Sequence, residues 1–262
     1  IVLSKSIDIL LYLDSGMSPK TYLMSLSRLA LVQALANGHI STSGVPNIDY
    51  YISSKNLETD YSDKYYSERL IRLNRLPDNL SMPKIQDISF KRSDINISNK
   101  DFLIGLPHSL FKFHPDFDFI LEKIIEEIPH AYILLFEGLE IFHIEQIKAR
   151  WKENNQSFSN RIIIYPRVEF DKYIAMMNSF DIILDPLYSG IGHTMHHAMF
   201  CGVPVVSMPT NQARGRYAYA VYKQIDIVNP PLAKTIDDYI SICKELALNN
   251  SYKNDLKSQI MG

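Results

Sequence analysis

The chain has 262 residues, of which 46% are hydrophobic and 21% charged. That length suits one large domain or two modest ones, and that balance excludes a disordered tail, a collagen-like fibre and a simple coiled coil. Lys plus Arg is 27 and Asp plus Glu is 29, a formal net charge of -2, which gives no overall electrostatic pull toward nucleic acid or an acidic membrane. Cys201 and Cys243 are too few for a disulfide framework, so the expected compartment is the cytoplasm. No stretch reaches the roughly 18 apolar residues of a membrane span, and the opening apolar run, interrupted by Asp8, lacks the basic leader and cleavage site of a signal peptide.

Short apolar runs alternate with helical periodicity, the pattern of an α/β protein with parallel sheets. In chain order, residues 7–13 read as a strand and 19–29 as a helix, with Ser18 as N-cap and Pro19 at the first helical position. Strands follow at 31–36 and 49–53, a short helix at 62–68 and a strand at 70–73. Residues 79–100 are polar, with Pro83 and no clear period, and read as a linker. Strands are then expected at 102–105, 132–136, 161–165, 182–184, 203–207 and 225–228. Between them lie helices near 116–128, 139–154, 169–178, 194–201 and 214–224. This is a Rossmann-type series over 101–249, with helices at 236–248 and from 253 onward, the latter in a tail spanning 250–262. Residues 1–78 read as the C-terminal part of another such domain, so the N-terminal domain is expected to be incomplete in this chain. Open sheets of this kind bind ligands at the carboxyl ends of their strands.

The densest local signal runs from Asp185 to Pro204. A strand ends in Asp185-Pro186, a turn carries Gly190 and Gly192, and a helix opens near His193 and Thr194. Glycines let a backbone approach a ligand, and free amides at a helix start attract anions. The pattern alone leaves a diphosphate cradle and an ordinary βα turn both open. His193 and His197 share a helix face, but the Glu of a zinc-protease helix and a third ligand are missing, so no metal site is expected. After the strand ending at Gly105, the loop carries Ser109 and Lys112, placing an ammonium at the sheet's carboxyl edge; it reads either as a diphosphate partner or as a solvated lysine. Asp116 and Asp118 imitate a metal-binding D-x-D but fall in a first helical turn after Pro115, where acids complement the dipole. Arg214 and Arg216 read as a surface pair or as phosphate contacts. His39 sits in a Gly/Ser/Thr loop after a strand. Tyr61, Tyr65 and Tyr66 read as an aromatic helix face.

Eight segments in one order resemble a known family: 27–33, 38–44, 48–54, 66–70, 109–118, 185–187, 201–209 and 214–220. The chain is similar to the catalytic region of the O-GlcNAc transferase family, which includes SPINDLY-type proteins and the bacterial adhesin N-glucosyltransferases. The resemblance implies a GT-B fold, two Rossmann-like domains with the active site between them. It also implies inverting, metal-independent transfer from a UDP-sugar, UDP-GlcNAc or UDP-glucose, to a protein Ser, Thr or Asn. On that resemblance no cofactor is needed, Lys112 neutralises the leaving diphosphate, and Gly190, Gly192, His193 and Thr194 hold it. Ser109 lies near the nucleotide, Val168 and Tyr173 surround the base, His39 faces sugar and acceptor, and Arg214 and Arg216 match the family's arginines. His197 departs from it: family members carry Asp or Glu there to accept from ribose hydroxyls. A catalytically silent nucleotide- or protein-binding relative, and a transferase acting on glycan or lipid, are the alternatives.

Overall fold

The computed structural model describes residues 7–36, 38–78, 81, 84–86, 88–153 and 160–262. Residues 79, 80, 82, 83 and 87 of the expected linker and residue 154 of the helix expected near 139–154 lie outside them. The chain forms two compact units, 1–80 with 210–224, and 81–209 with 225–262. Segment 210–224 joins the first unit although its sequence continues the Rossmann series.

The first unit is built on a fully parallel sheet of β1 (Ile9–Tyr12), β2 (Val32–Ala36), β3 (Tyr50–Ser54) and β4 (Arg69–Leu73), in the order β1-β2-β3-β4. Helix α1 (Pro19–Ser25) links the first two strands. Alternation puts Tyr12, Leu35, Tyr51 and Leu70 on one face, where they pack with Val45 and Ile48 into a core. The expected helix over 62–68 is a 3-10 turn, Ser62–Tyr65, because Arg69 already pairs with Tyr50 in the sheet.

The second unit has five parallel strands: β5 (Phe102–Leu106), β6 (Ala131–Phe136), β7 (Ile162–Tyr165), β8 (Ile182–Leu184) and β9 (Val205–Val206). Their order is β7-β6-β5-β8-β9. Every residue of β5 and β8 is buried, which explains their unbroken apolar runs. The connecting helices are α2 (Pro115–Glu127), α3 (Ile141–Glu153), α4 (Phe170–Met177) and α5 (Thr194–Phe200). Helix α2 buries Phe117, Ile120, Leu121 and Ile124 at helical spacing. Its start is fixed by Pro115 and by His114, whose Nδ1 accepts from the Asp116 amide at 3.2 Å. Helix α5 stops at Gly202, which takes φ +65° while its amide and that of Val203 cap the Met199 and Ala198 carbonyls.

Helix α6 (Tyr217–Gln224) belongs to the first unit and is preceded by a 3-10 turn, Ala213–Gly215. Helices α7 (Ile236–Leu248) and α8 (Asn250–Met261) close the second, so the tail expected from 253 is a full helix capped by Asn249. The expected strand at 225–228 is not formed. Asp226 and Asn229 take left-handed backbone conformations, φ 54° and 51°, which interrupt an extended run. The sheet instead gains a single bridge between Ser207 and Leu232.

The chain order reverses between β5 and β8. The loops leaving their carboxyl ends therefore emerge side by side, at the switch point where open α/β sheets hold ligands.

Candidate functional site

Two loops build the site of the second unit, 107–114 after β5 and 185–193 after β8. Lys112 ends a 3-10 turn, and its Nζ donates to the Gly190 carbonyl at 2.7 Å. Gly190 takes φ +47°, a conformation that lets the turn present that carbonyl. Burial pushes the Lys112 pKa down, and the nearby Asp185 carboxylate opposes the shift. The turn is anchored from below. Asp185, 4% exposed, accepts from the Ile191 amide and from the Ser207 hydroxyl, each at 2.5 Å. Tyr239 of α7 donates to the Asp185 and Val206 carbonyls at 3.1 and 3.0 Å. His108 is buried and donates from Nε2 to the Leu184 carbonyl at 2.7 Å; burial pushes its pKa down to about 3, so it stays neutral beside Lys112.

Burial raises the Asp185 pKa to about 6, with the Ser207 and Ile191 hydrogen bonds and Lys112 opposing it. The folded value lies above the unfolded one near 3.9. The native state therefore holds an extra proton between the two values, and the carboxyl's contribution to stability falls as pH rises from about 4 to about 6. Asp185→Asn removes that slope. Urea titrations across this range are expected to show the parent losing stability relative to the variant, on the order of a few kcal/mol. Parallel curves for the two proteins would refute the assignment.

A cavity of about 750 Å3 opens beside the first loop. Ser109, Val168 and Tyr173 line it, together with Phe136, Arg167 and Phe170. Phe136 and Tyr173 lie 5.6 Å apart between ring centroids, giving one aromatic wall. The Tyr173 phenol shares a hydrogen bond with Thr194, and its pKa is raised by burial. Thr194 also reaches the Pro107 carbonyl at 3.5 Å, so the helix start and the first loop are tied together. Gly192 has open space above it, and His193 is exposed. His197 is packed edge-on against Phe170 and Tyr173 at 5.3 and 5.6 Å. Burial and then His193 lower its pKa, and its Nδ1 is buried with no hydrogen-bond partner among the described residues. Among the described residues, no three His, Cys, Asp or Glu side chains cluster as metal ligands. Asp118 is buried and pairs both oxygens with Arg150, while Asp116 accepts from Tyr188 at 2.7 Å.

The remaining predicted residues belong to the first unit. His39 is exposed; its carbonyl accepts from Tyr51 at 2.9 Å. Arg216 donates to the Leu57 and Thr210 carbonyls at 3.0 and 3.2 Å and lies 4.6 Å from the Tyr219 ring, so its guanidinium is occupied within the fold. Arg214 is exposed and lines a smaller pocket of that unit. Sequence reasoning did not single out His108, Ser207, Tyr239, Arg167 or Phe170. For Ser207 and Tyr239 the only local signal is a polar group at the end of an apolar run.

No family model matches the chain. It is 23% identical over 258 residues to a UDP-glucose:protein N-beta-glucosyltransferase of Actinobacillus pleuropneumoniae, covering 94% of this chain and 39% of that protein. It is 24% identical over 229 residues to a probable UDP-N-acetylglucosamine–peptide N-acetylglucosaminyltransferase, SEC, of Arabidopsis thaliana, covering 84% of this chain and 23% of that protein. An O-GlcNAc transferase mutant of Thermobaculum terrenum superposes with a TM-score of 0.84 at 21% identity, over 99% of this chain and 49% of that one. The chain is thus similar, at low identity, to members of the O-GlcNAc transferase family. The Anabaena HepE protein, solved with UDP and glucose, superposes with a TM-score of 0.62 at 16% identity, over 99% of this chain and 74% of that one. These likenesses give the fold as GT-B. The chain spans less than half the length of the curated relatives it matches.

Proposed function

We propose that this chain carries the donor-binding and part of the acceptor-binding machinery of an inverting glycosyltransferase that moves glucose or N-acetylglucosamine from UDP to a protein Ser, Thr or Asn. The observation that carries the reading is Lys112, held at 2.7 Å from the Gly190 carbonyl where two loops meet at the strand switch point. A diphosphate arriving there replaces a carbonyl as the ammonium's partner. Its gain grows as the uridine diphosphate leaves, because negative charge then accumulates on the oxygen that departs from the sugar. Lysine and backbone amides supply this positive charge in our reading, so no metal is required. The cavity flanked by Tyr173, Val168 and Ser109 takes the uridine. Relatives that act on UDP-sugars and proteins support both donor and acceptor classes. No helix among the described residues is long and apolar enough to cross a membrane.

His197 favours a second reading, a silent relative that binds a nucleotide weakly. Neutral imidazole offers a ribose one acceptor where a carboxylate offers several, and charge-assisted bonds are the stronger ones. Calorimetric titration with UDP separates the readings. Binding by the parent, tightened about tenfold in His197→Asp, supports a working donor site with an altered ribose contact. Binding only by His197→Asp supports the silent relative. Absence of binding by both proteins rejects the uridine assignment.

A further inference from the structure

The first unit contains a pocket of about 210 Å3, separate from the cavity lined by Tyr173 and Ser109 in the second. Three chain segments form it: 40–42 from the His39 loop, 58–66, and 212–214 before α6. Each is fixed in place. Glu68 holds the first, accepting from Thr42 Oγ1 at 2.7 Å and the Ser43 amide at 2.8 Å. Arg216 ties the third to the Leu57 carbonyl, and Tyr61 donates to Asn211 at 3.1 Å. The walls therefore do not depend on a ligand for their positions.

Glu58 lies in the pocket wall and is 5% exposed. Its Oε1 accepts from Ser53 Oγ and from the Tyr66 hydroxyl, both at 2.7 Å. Burial and then Glu58 itself raise the Tyr66 pKa, so that phenol remains a donor. Oε2 has no hydrogen-bond partner among the described residues. Across the same space Arg214 makes no ion pair or hydrogen bond among the described residues. A nearly buried carboxylate oxygen without a donor is costly unless something supplies one.

The chemistry selects the occupant. A cation satisfies Glu58 but meets Arg214, and an anion satisfies Arg214 but meets Glu58. A neutral ring carrying several hydroxyls satisfies both, donating to Oε2 and accepting from the guanidinium. Tyr65 and Tyr66 give it aromatic surface, and Ser41 and Thr42 add hydroxyls at the wall. The volume lies below the roughly 300–1,000 Å3 of drug-sized sites and suits a single ring. We propose that this pocket is a monosaccharide subsite in which Glu58 Oε2 accepts from a sugar hydroxyl and Arg214 donates to another. The proposal deepens the glycosyl-transfer reading and rests on it for the source of the sugar, which is either the nucleotide-linked donor or a glycan acceptor.

The test compares the parent with Glu58→Gln and Arg214→Met, titrated with methyl glucoside, methyl N-acetylglucosaminide, UDP, UDP-glucose and UDP-GlcNAc by ligand-observed NMR and calorimetry. Gln keeps a carbonyl oxygen for Ser53 and Tyr66, and circular dichroism checks that both variants fold. Sugar affinity is expected to fall about tenfold in each variant while UDP affinity is unchanged. A loss confined to the UDP-sugars assigns the pocket to the donor's sugar, and a loss confined to the methyl glycosides assigns it to a glycan acceptor. UDP failing to bind while a sugar still binds through Glu58 and Arg214 would remove the uridine reading and keep this one. Sugar affinities equal in parent and variants, or no sugar binding by the parent, would overturn it.

Discussion

Lys112→Ala is expected to lower kcat for sugar transfer by about 10²–10³-fold, the usual cost of deleting one charge-stabilising donor at a reacting centre. The loss falls mainly on kcat because the ammonium's advantage grows with the charge on the leaving diphosphate. The fold is expected to survive. Lys112 is half-buried, and burial already pushes its pKa down, so its charge is not a net support of the native state. The Gly190 turn retains its anchorage through Asp185, which accepts from the Ile191 amide and from Ser207 without the lysine. Steady-state transfer from a radiolabelled UDP-sugar to an acceptor protein, beside an unfolding curve, reads both quantities. A variant that transfers at the parent rate refutes Lys112 as the group that neutralises the leaving diphosphate. A variant that fails to fold indicates instead that the lysine braces the turn.

The parts of this site visible in the sequence are those whose chemistry is local. Gly190, Gly192 and Thr194 follow a strand within ten residues, and Lys112 follows another, so chain order alone placed both at strand ends. The fully buried strands β5 and β8 were equally legible, because two-sided burial writes continuous apolar runs. Legibility ends where a residue's partner is distant. Nothing near Glu58 in the sequence indicates that Ser53 and Tyr66 saturate one of its oxygens and leave the other open. Asp185 was visible as the end of a strand, but its supports at Ser207 and Tyr239 come from the next strand and a later helix. The expected strand over 225–228 shows the opposite failure. Its apolar residues, Ile225, Ile227 and Val228, satisfy a pattern, while Asp226 adopts a left-handed backbone that no pattern of hydrophobicity records. The placement of 210–224 in the first unit is likewise set by packing, with Arg216 holding the Leu57 carbonyl.

Arg150→Ala is expected to destabilise the second unit severely, by about 3–5 kcal/mol. Its Nε and Nη2 bind the two oxygens of Asp118 at 2.6 and 2.9 Å, and the Asp118 side chain is 2% exposed. Removing the arginine strands a carboxylate where water cannot replace the partner. At roughly 2–4 °C per kcal/mol for a unit of this size, the melting temperature should drop on the order of 10 °C. The arginine also donates to the Phe113 carbonyl at 3.2 Å, one residue beyond Lys112, so the change loosens the loop carrying the lysine. The double variant Asp118→Leu/Arg150→Met separates the causes. It removes the stranded charge and restores apolar packing, and it is expected to recover much of the stability lost in Arg150→Ala. Recovery of stability with activity still low would show that the Phe113 contact positions Lys112 for reaction. A double variant no more stable than Arg150→Ala would instead mean that packing around the arginine stem, rather than the buried charge pair, carries the energy.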